Sequence, residues 1–181
     1  MGIFAFRTPI LLLIVAGLAG CASGVKRAED ASKREAYFAK GGKLANEVTI
    51  SLTKEAQAML SDNPGFDQHK LLSTAKRALE ANNLLAKTAD PSLPRIEILV
   101  TEIRVRSSFS AVMFGFMAGN DRVVGDVIAR DSSGKELQRF TVSASYALGG
   151  IGGGQDDARM TWLYETFAKH TIAELKGEKT D

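Results

Sequence analysis

Two stretches of alternating side chains, Arg122–Arg130 and Glu136–Ser145, are joined by Asp131-Ser132-Ser133-Gly134, and this hairpin constrains the fold more than any other feature. The link suits a tight turn with Gly134 in a left-handed conformation, and a hairpin pairs its two strands antiparallel. On the second stretch Phe140, Val142 and Ala144 alternate with Arg139, Thr141 and Ser143, so one face of the sheet is apolar and must be covered. Helices supply the cover. Asp67 is the predicted N-cap of a helix reaching to about Ala81, with Leu71, Leu72, Ala75 and Leu79 on one stripe. A last helix is predicted from about Asp157 to Leu175, capped by Asp156 or Asp157, with the stripe Met160, Leu163, Tyr164, Phe167 and Thr171.

Two more strands complete the sheet. Val48, Ile50 and Leu52 alternate within Glu47–Leu52, and Ser51 or Thr53 is placed to cap a short helix over Lys54–Leu60 that ends at Asp62-Asn63-Pro64-Gly65. In Arg95–Arg106, Ile96, Ile98 and Val100 share one parity while Ile103 and Val105 share the other. A bulge near Thr101-Glu102 resets the register, or both faces are partly covered. The order of elements reads as an α+β fold: two layers, a mainly antiparallel sheet with helices packed on it.

Before this domain lies an N-terminal signal. Arg7 is a single-charge n-region, Ile10 to Leu18 form an apolar core, and Leu18-Ala19-Gly20-Cys21 reads as a lipobox. Arg7-Thr8-Pro9 interrupt the apolar stretch, leaving a run shorter than the roughly 20 residues a membrane span needs. Residues 1–20 are therefore read as a lipoprotein signal peptide, with Cys21 as the lipidated first mature residue. A plain secretory signal with a free Cys21 is the bland alternative. Ala22 and Ser23 follow in place of an Asp, which points to the outer membrane, with the inner membrane or the periplasmic face as fallback. Residues 21–43, rich in Ala, Lys, Arg, Glu and Asp, read as a tether docked through Tyr37 and Phe38, and residues 44–181 as a single domain.

Composition removes several function classes. Lys and Arg number 23 against 21 Asp and Glu, so the formal charge is only +2, and nothing calls for nucleic acid as a partner. The single cysteine excludes an internal disulfide, and His69 and His170 are too far apart in sequence to announce a zinc site. No metal and no cofactor is predicted.

Two segments are candidates for function. Ser107 to Met117 carries Phe109, Met113, Phe114, Phe116 and Met117 between two strands, where a polar loop is the usual finding. Such a segment either covers the core or presents an adhesive surface to a partner or the bilayer. The run Gly149 to Gly154, with Gly150, Gly152 and Gly153, precedes a helix but lacks the spacing of G-x-G-x-x-G and a following Gly-Lys-Ser/Thr. A mobile connection is the simpler account. Both segments leave the same edge of the predicted sheet, so they are expected side by side as one interaction surface. Catalysis has no comparable signal. Glu102, Asp126 and His170 form an active constellation only if they converge, and no G-x-S-x-G elbow is present.

The string Phe114-Gly115-Phe116-Met117-Ala118-Gly119-Asn120, the later Val127, Asp131 and Gly134-Lys135-Glu136-Leu137, and the glycine-rich turn before a final helix resemble a family of small bacterial lipoproteins defined only as a domain of unknown function. The resemblance spans Val105–Leu175 well and the first half more loosely. It implies a location and a fold and lends no catalytic residues. The expected role is that of a lipid-anchored envelope lipoprotein, not an enzyme, that binds a membrane through its anchor and a possible envelope protein. A small-ligand or lipid carrier is the alternative, and a hydrolase a more distant one.

Overall fold

The computed structural model describes residues 23–27, 36–40, 44–107, 119–147 and 156–178. Among them the strands β1 (Gly24–Arg27), β2 (Glu47–Leu52), β3 (Arg95–Arg104), β4 (Asp121–Arg130) and β5 (Glu136–Tyr146) form one sheet in the order β1-β5-β4-β3-β2. Three helices accompany it: α1 (Lys54–Ala58), α2 (Gln68–Ala81) and α3 (Asp156–Lys176). Only β2 and β3 pair in parallel; the other three pairings are antiparallel. The fold is α+β.

The hairpin forms as its sequence dictates. Gly134 takes a φ of 88°, and Asp131 Oδ1 accepts from the Ser133 and Lys135 amides at 2.9 Å each and from Ser133 Oγ at 2.7 Å. The register of β3 against β4 shifts between Val100 and Glu102. This bulge resolves the parity change in the sequence, because it lets Ile96, Ile98, Val100 and Ile103 all turn into the core. Parallel pairing of β2 with β3 requires a crossover, and α1 and α2 provide it. Thr53 caps α1 through a bond from the Ala56 amide, and Asp67 caps α2 through bonds from the His69 and Lys70 amides. The last helix is described over Asp156–Lys176, so Asp157, one of the two expected caps, lies within it.

All five residues of the predicted α3 stripe are buried, and Leu71, Ala75 and Leu79 of α2 are buried with them. Phe167 crosses β4 at Gly125. A Cβ there would stand 3.3 Å from the ring and 3.1 Å from the Leu99 carbonyl oxygen, so glycine lets the ring approach without either neighbour giving way. Tyr164 lies edge-on to Phe66 and accepts a 2.7 Å bond from the Asp67 amide. Burial pushes its phenol up to about 12.

Part of the segment 21–43, read as a tether, pairs into the sheet. Gly24–Arg27 is an edge strand in register with β5, with Gly24 opposite Ser143 and Arg27 opposite Phe140. Arg27 also reaches Glu174 near the end of α3 in a bidentate ion pair. A 3₁₀ turn at Tyr37–Lys40 seats Phe38 in the core. With one apolar residue in four, Gly-Val-Lys-Arg gives no local strand signal; backbone pairing and Val25, which packs against the core, hold it.

Candidate functional site

At one end of the sheet β3 finishes, β4 starts and β5 finishes, and the first turn of α3 packs against the same end. Asp121, the first residue of β4, shares core parity with Val123, Val127 and Ala129 and is completely buried. Two guanidiniums meet its carboxylate. Arg106 approaches with Nη2 at 3.0 Å from Oδ2 and Nε at 3.2 Å from Oδ1, while its backbone amide donates to Oδ1 at 2.7 Å. Arg159, from α3, donates through Nη1 to Oδ2 at 2.8 Å. Side-chain exposures of 3%, 0% and 1% for Arg106, Asp121 and Arg159 mean that water screens none of this.

One carboxylate does not satisfy two guanidiniums, and backbone carbonyls accept part of the surplus. Arg106 Nη1 donates to the Gly119 carbonyl at 2.9 Å, Arg106 Nη2 to that of Tyr146 at 3.3 Å, and Arg159 Nη2 to that of Arg106 at 3.2 Å. The cluster thus ties together residues that flank the segments 108–118 and 148–155. These bonds hold the backbone at residues 106, 119 and 146 to the cluster. Gly119 adds a backbone condition, because its φ of 86° is one that L side chains rarely adopt.

Cys21, Phe109, Met113, Phe114, Phe116, Met117, Gly150, Gly152 and Gly153 lie outside the described residues. Their flanks do not: the hydrogen bonds of Arg106 and Arg159 gather the residues on either side of both segments at one sheet end. The conditional acid–base set does not assemble. Glu102 lies 3.7 Å from Arg122, and Asp126 accepts from Thr141 Oγ1 at 2.7 Å and from Arg139 at 3.4 Å, both on the sheet face opposite the helices. His170 is buried on α3, across the sheet from them. Burial, and secondarily the neighbouring Lys169, lowers its pKa from the ordinary value.

The sequence reading missed Arg106, Asp121 and Arg159 as a group. A signal existed: Asp121 sits at a core position of an alternating strand, and Arg159 lies four residues before Leu163 on the apolar stripe. Charged residues at core positions call for buried partners. Elsewhere, a depression of about 590 Å³ opens between the start of β2 and the end of α2, bordered by Glu47, Lys76, Glu80 and Lys87. Among the described residues no three His, Cys, Asp or Glu side chains are grouped to hold a metal ion.

The fold defines a small α+β domain whose five-stranded, mainly antiparallel sheet carries its helices on one face. Residues 28–150 match the family described as a domain of unknown function, DUF4410, and the chain belongs to that family. The match takes in β2 to β5 with α1 and α2, and ends before α3. No curated protein matches the sequence. Among solved structures, the chain is similar to the PelC dodecamer from Paraburkholderia phytofirmans, at 16% identity over 87% of this chain and 99% of that one, with a TM-score of 0.46. It is also similar to rare lipoprotein B from Shewanella oneidensis, at 10% identity over 74% of this chain and 99% of that one, with a TM-score of 0.31. Nothing about the assembly or activity of this chain follows from likenesses so distant.

Proposed function

We propose that this protein is a lipid-anchored lipoprotein of the bacterial envelope, held at the outer membrane, whose domain works by binding a partner rather than by catalysis. The observation that carries the reading is the run Leu18-Ala19-Gly20-Cys21 behind an apolar core. No helix among the described residues is long and apolar enough to cross a membrane. The partner-binding part rests on Phe109–Met117, an aromatic and methionine-rich segment whose flanking backbone is locked by the Arg106–Asp121–Arg159 cluster. Rigid ends lower the ordering cost of a binding segment.

Expression with radiolabelled palmitate tests the anchor. The wild-type chain takes up label and Cys21→Ala does not; label that persists without Cys21 refutes the reading. For the binding role, Phe114→Ser combined with Phe116→Ser is expected to fold normally and to lose the crosslinks that the wild type forms in intact cells. Unfolding of that variant would assign the segment to the core and end the claim.

A further inference from the structure

Among the described residues β2 ends the sheet on one side, with β3 as its strand partner. The Thr53 amide donates to the Val100 carbonyl at 2.9 Å, while Leu52 stands opposite Val100. In that register Thr49 and Ser51 bond toward β3, and Val48 and Ile50 turn their amides and carbonyls to the outer edge. The Ile50 carbonyl shows this direction, because it accepts from Gln68 Nε2, at the start of α2, at 3.2 Å.

The chain itself seats an extended backbone on this side of the sheet. At Ala45, just before β2, the amide donates to the Leu84 carbonyl and the carbonyl accepts from the Ala86 amide, both at 2.8 Å. Residues 84–86 are thus laid parallel to the entering strand, but the bridge between Ala45 and Leu85 is isolated. Past it the two backbones part, and the depression of about 590 Å³ lies between them. Asn46 and Val48 belong to one wall and Ala86 and Lys87 to the other, with Lys76 and Glu80 of α2 along the side. The hollow occupies the place that a longer sixth strand would fill.

We propose that this edge is a docking site for an extended peptide segment of a partner protein, which adds to β2 by main-chain pairing at Val48 and Ile50. The inference goes beyond the anchored-lipoprotein reading and does not depend on Cys21. An edge strand presents unpaired backbone groups, and proteins commonly guard them with Pro or Lys. Glu47–Leu52 contains neither, and one side chain, Gln68, covers one carbonyl. Strand addition draws affinity from the main chain and leaves specificity to the side chains along the groove. Glu47 and Glu80 stand there with Lys76 and Lys87, two charges of each sign, so the matching segment carries no net charge. Val48 and Leu85, both buried, give it an apolar contact.

The test uses the full-length protein in dodecyl maltoside micelles, with isotope-labelled valine and isoleucine amides, and the blocked peptide acetyl-Thr-Val-Thr-Val-Thr-amide as probe. The expected result is saturable shifts of the Val48 and Ile50 amide signals at millimolar peptide, with their hydrogen exchange slowed several-fold. The same peptide N-methylated on every amide is expected not to bind. Gln68→Ala uncaps the Ile50 carbonyl from a position outside the core, and is expected to bind the probe several-fold more tightly. Binding that survives N-methylation overturns the proposal, because side chains then carry it. Unmoved Val48 and Ile50 signals overturn it as well, and so does a Gln68→Ala variant that binds no better. Exchange protection of Val48 that rises with protein concentration without peptide gives the edge to a second copy of this chain, and equally overturns the proposal.

Discussion

Two carboxylates in this molecule each receive two guanidiniums, and the similarity ends there. Asp121 meets Arg106 and Arg159 in the core, with side-chain exposures of 0%, 3% and 1%. Glu97 meets Arg95 and Arg130 at 2.8 and 2.9 Å on the sheet face opposite the helices, with exposures of 31%, 40% and 26%. Water competes for every charge in the second set and for none in the first. Removing one member of a buried set strands the others without solvation, whereas an exposed set hands its members back to water. The comparison shows that the worth of an arginine–carboxylate contact is set by what surrounds it more than by its geometry.

The comparison breaks first at Asp121. Asp121→Ala is expected to cost roughly 3–5 kcal/mol, the range for a buried ion pair deprived of one partner, measured by urea denaturation. A loss below about 1 kcal/mol would show that water reaches the cluster. An apolar yardstick lies close by: Phe167→Ala, which empties the space over Gly125, should also cost roughly 3–5 kcal/mol. If Phe167→Ala changes nothing, the α3 stripe does not face the sheet.

A third environment sharpens the contrast. His170 is buried, and its Nδ1 has no hydrogen-bond partner among the described residues. Its folded pKa lies below the ordinary value of 6.5. The unfolded chain therefore binds the proton more readily, so stability is fully present above about pH 6.5 and falls as the pH drops from there toward the lowered folded value. Denaturation midpoints between pH 7 and 5 should decline in the wild type and decline less in His170→Gln. An NMR titration of His170 with a midpoint at or above 6.5 would contradict the burial argument.

The smallest effect belongs to the exposed set. Glu97→Gln should cost less than about 1 kcal/mol and should matter least at high salt. The hydrogen bond from Arg95, and after it Arg130, holds the Glu97 carboxyl below its usual range. Its contribution is thus present above about pH 4.5 and lost as the pH falls through the lowered value, a trend the glutamine variant lacks. An effect as large as that of Asp121→Ala would erase the distinction between the two sets.

Local chemistry was legible in the sequence. The hairpin at Asp131–Gly134, the bulge after Val100 and the caps at Thr53 and Asp67 all follow from residues within a few positions of one another. Long-range pairing was not. Nothing in Glu47–Leu52 states that it will lie parallel to Arg95–Val100, and nothing in Gly24–Arg27 names β5 as its partner. The buried cluster joins positions 106, 121 and 159, and only the parity of Asp121 and the stripe position of Arg159 hinted at it. A charge placed among core residues says that a partner exists without saying where it is.

The order β1-β5-β4-β3-β2 has a kinetic corollary. Ser23 and Ser145 stand 122 residues apart in the chain, yet they bond to each other beside the first strand pairing. Segments that close such long loops join late, after nearer contacts have formed. Gly24–Arg27 cannot pair until β5, far along the chain, is present to receive them.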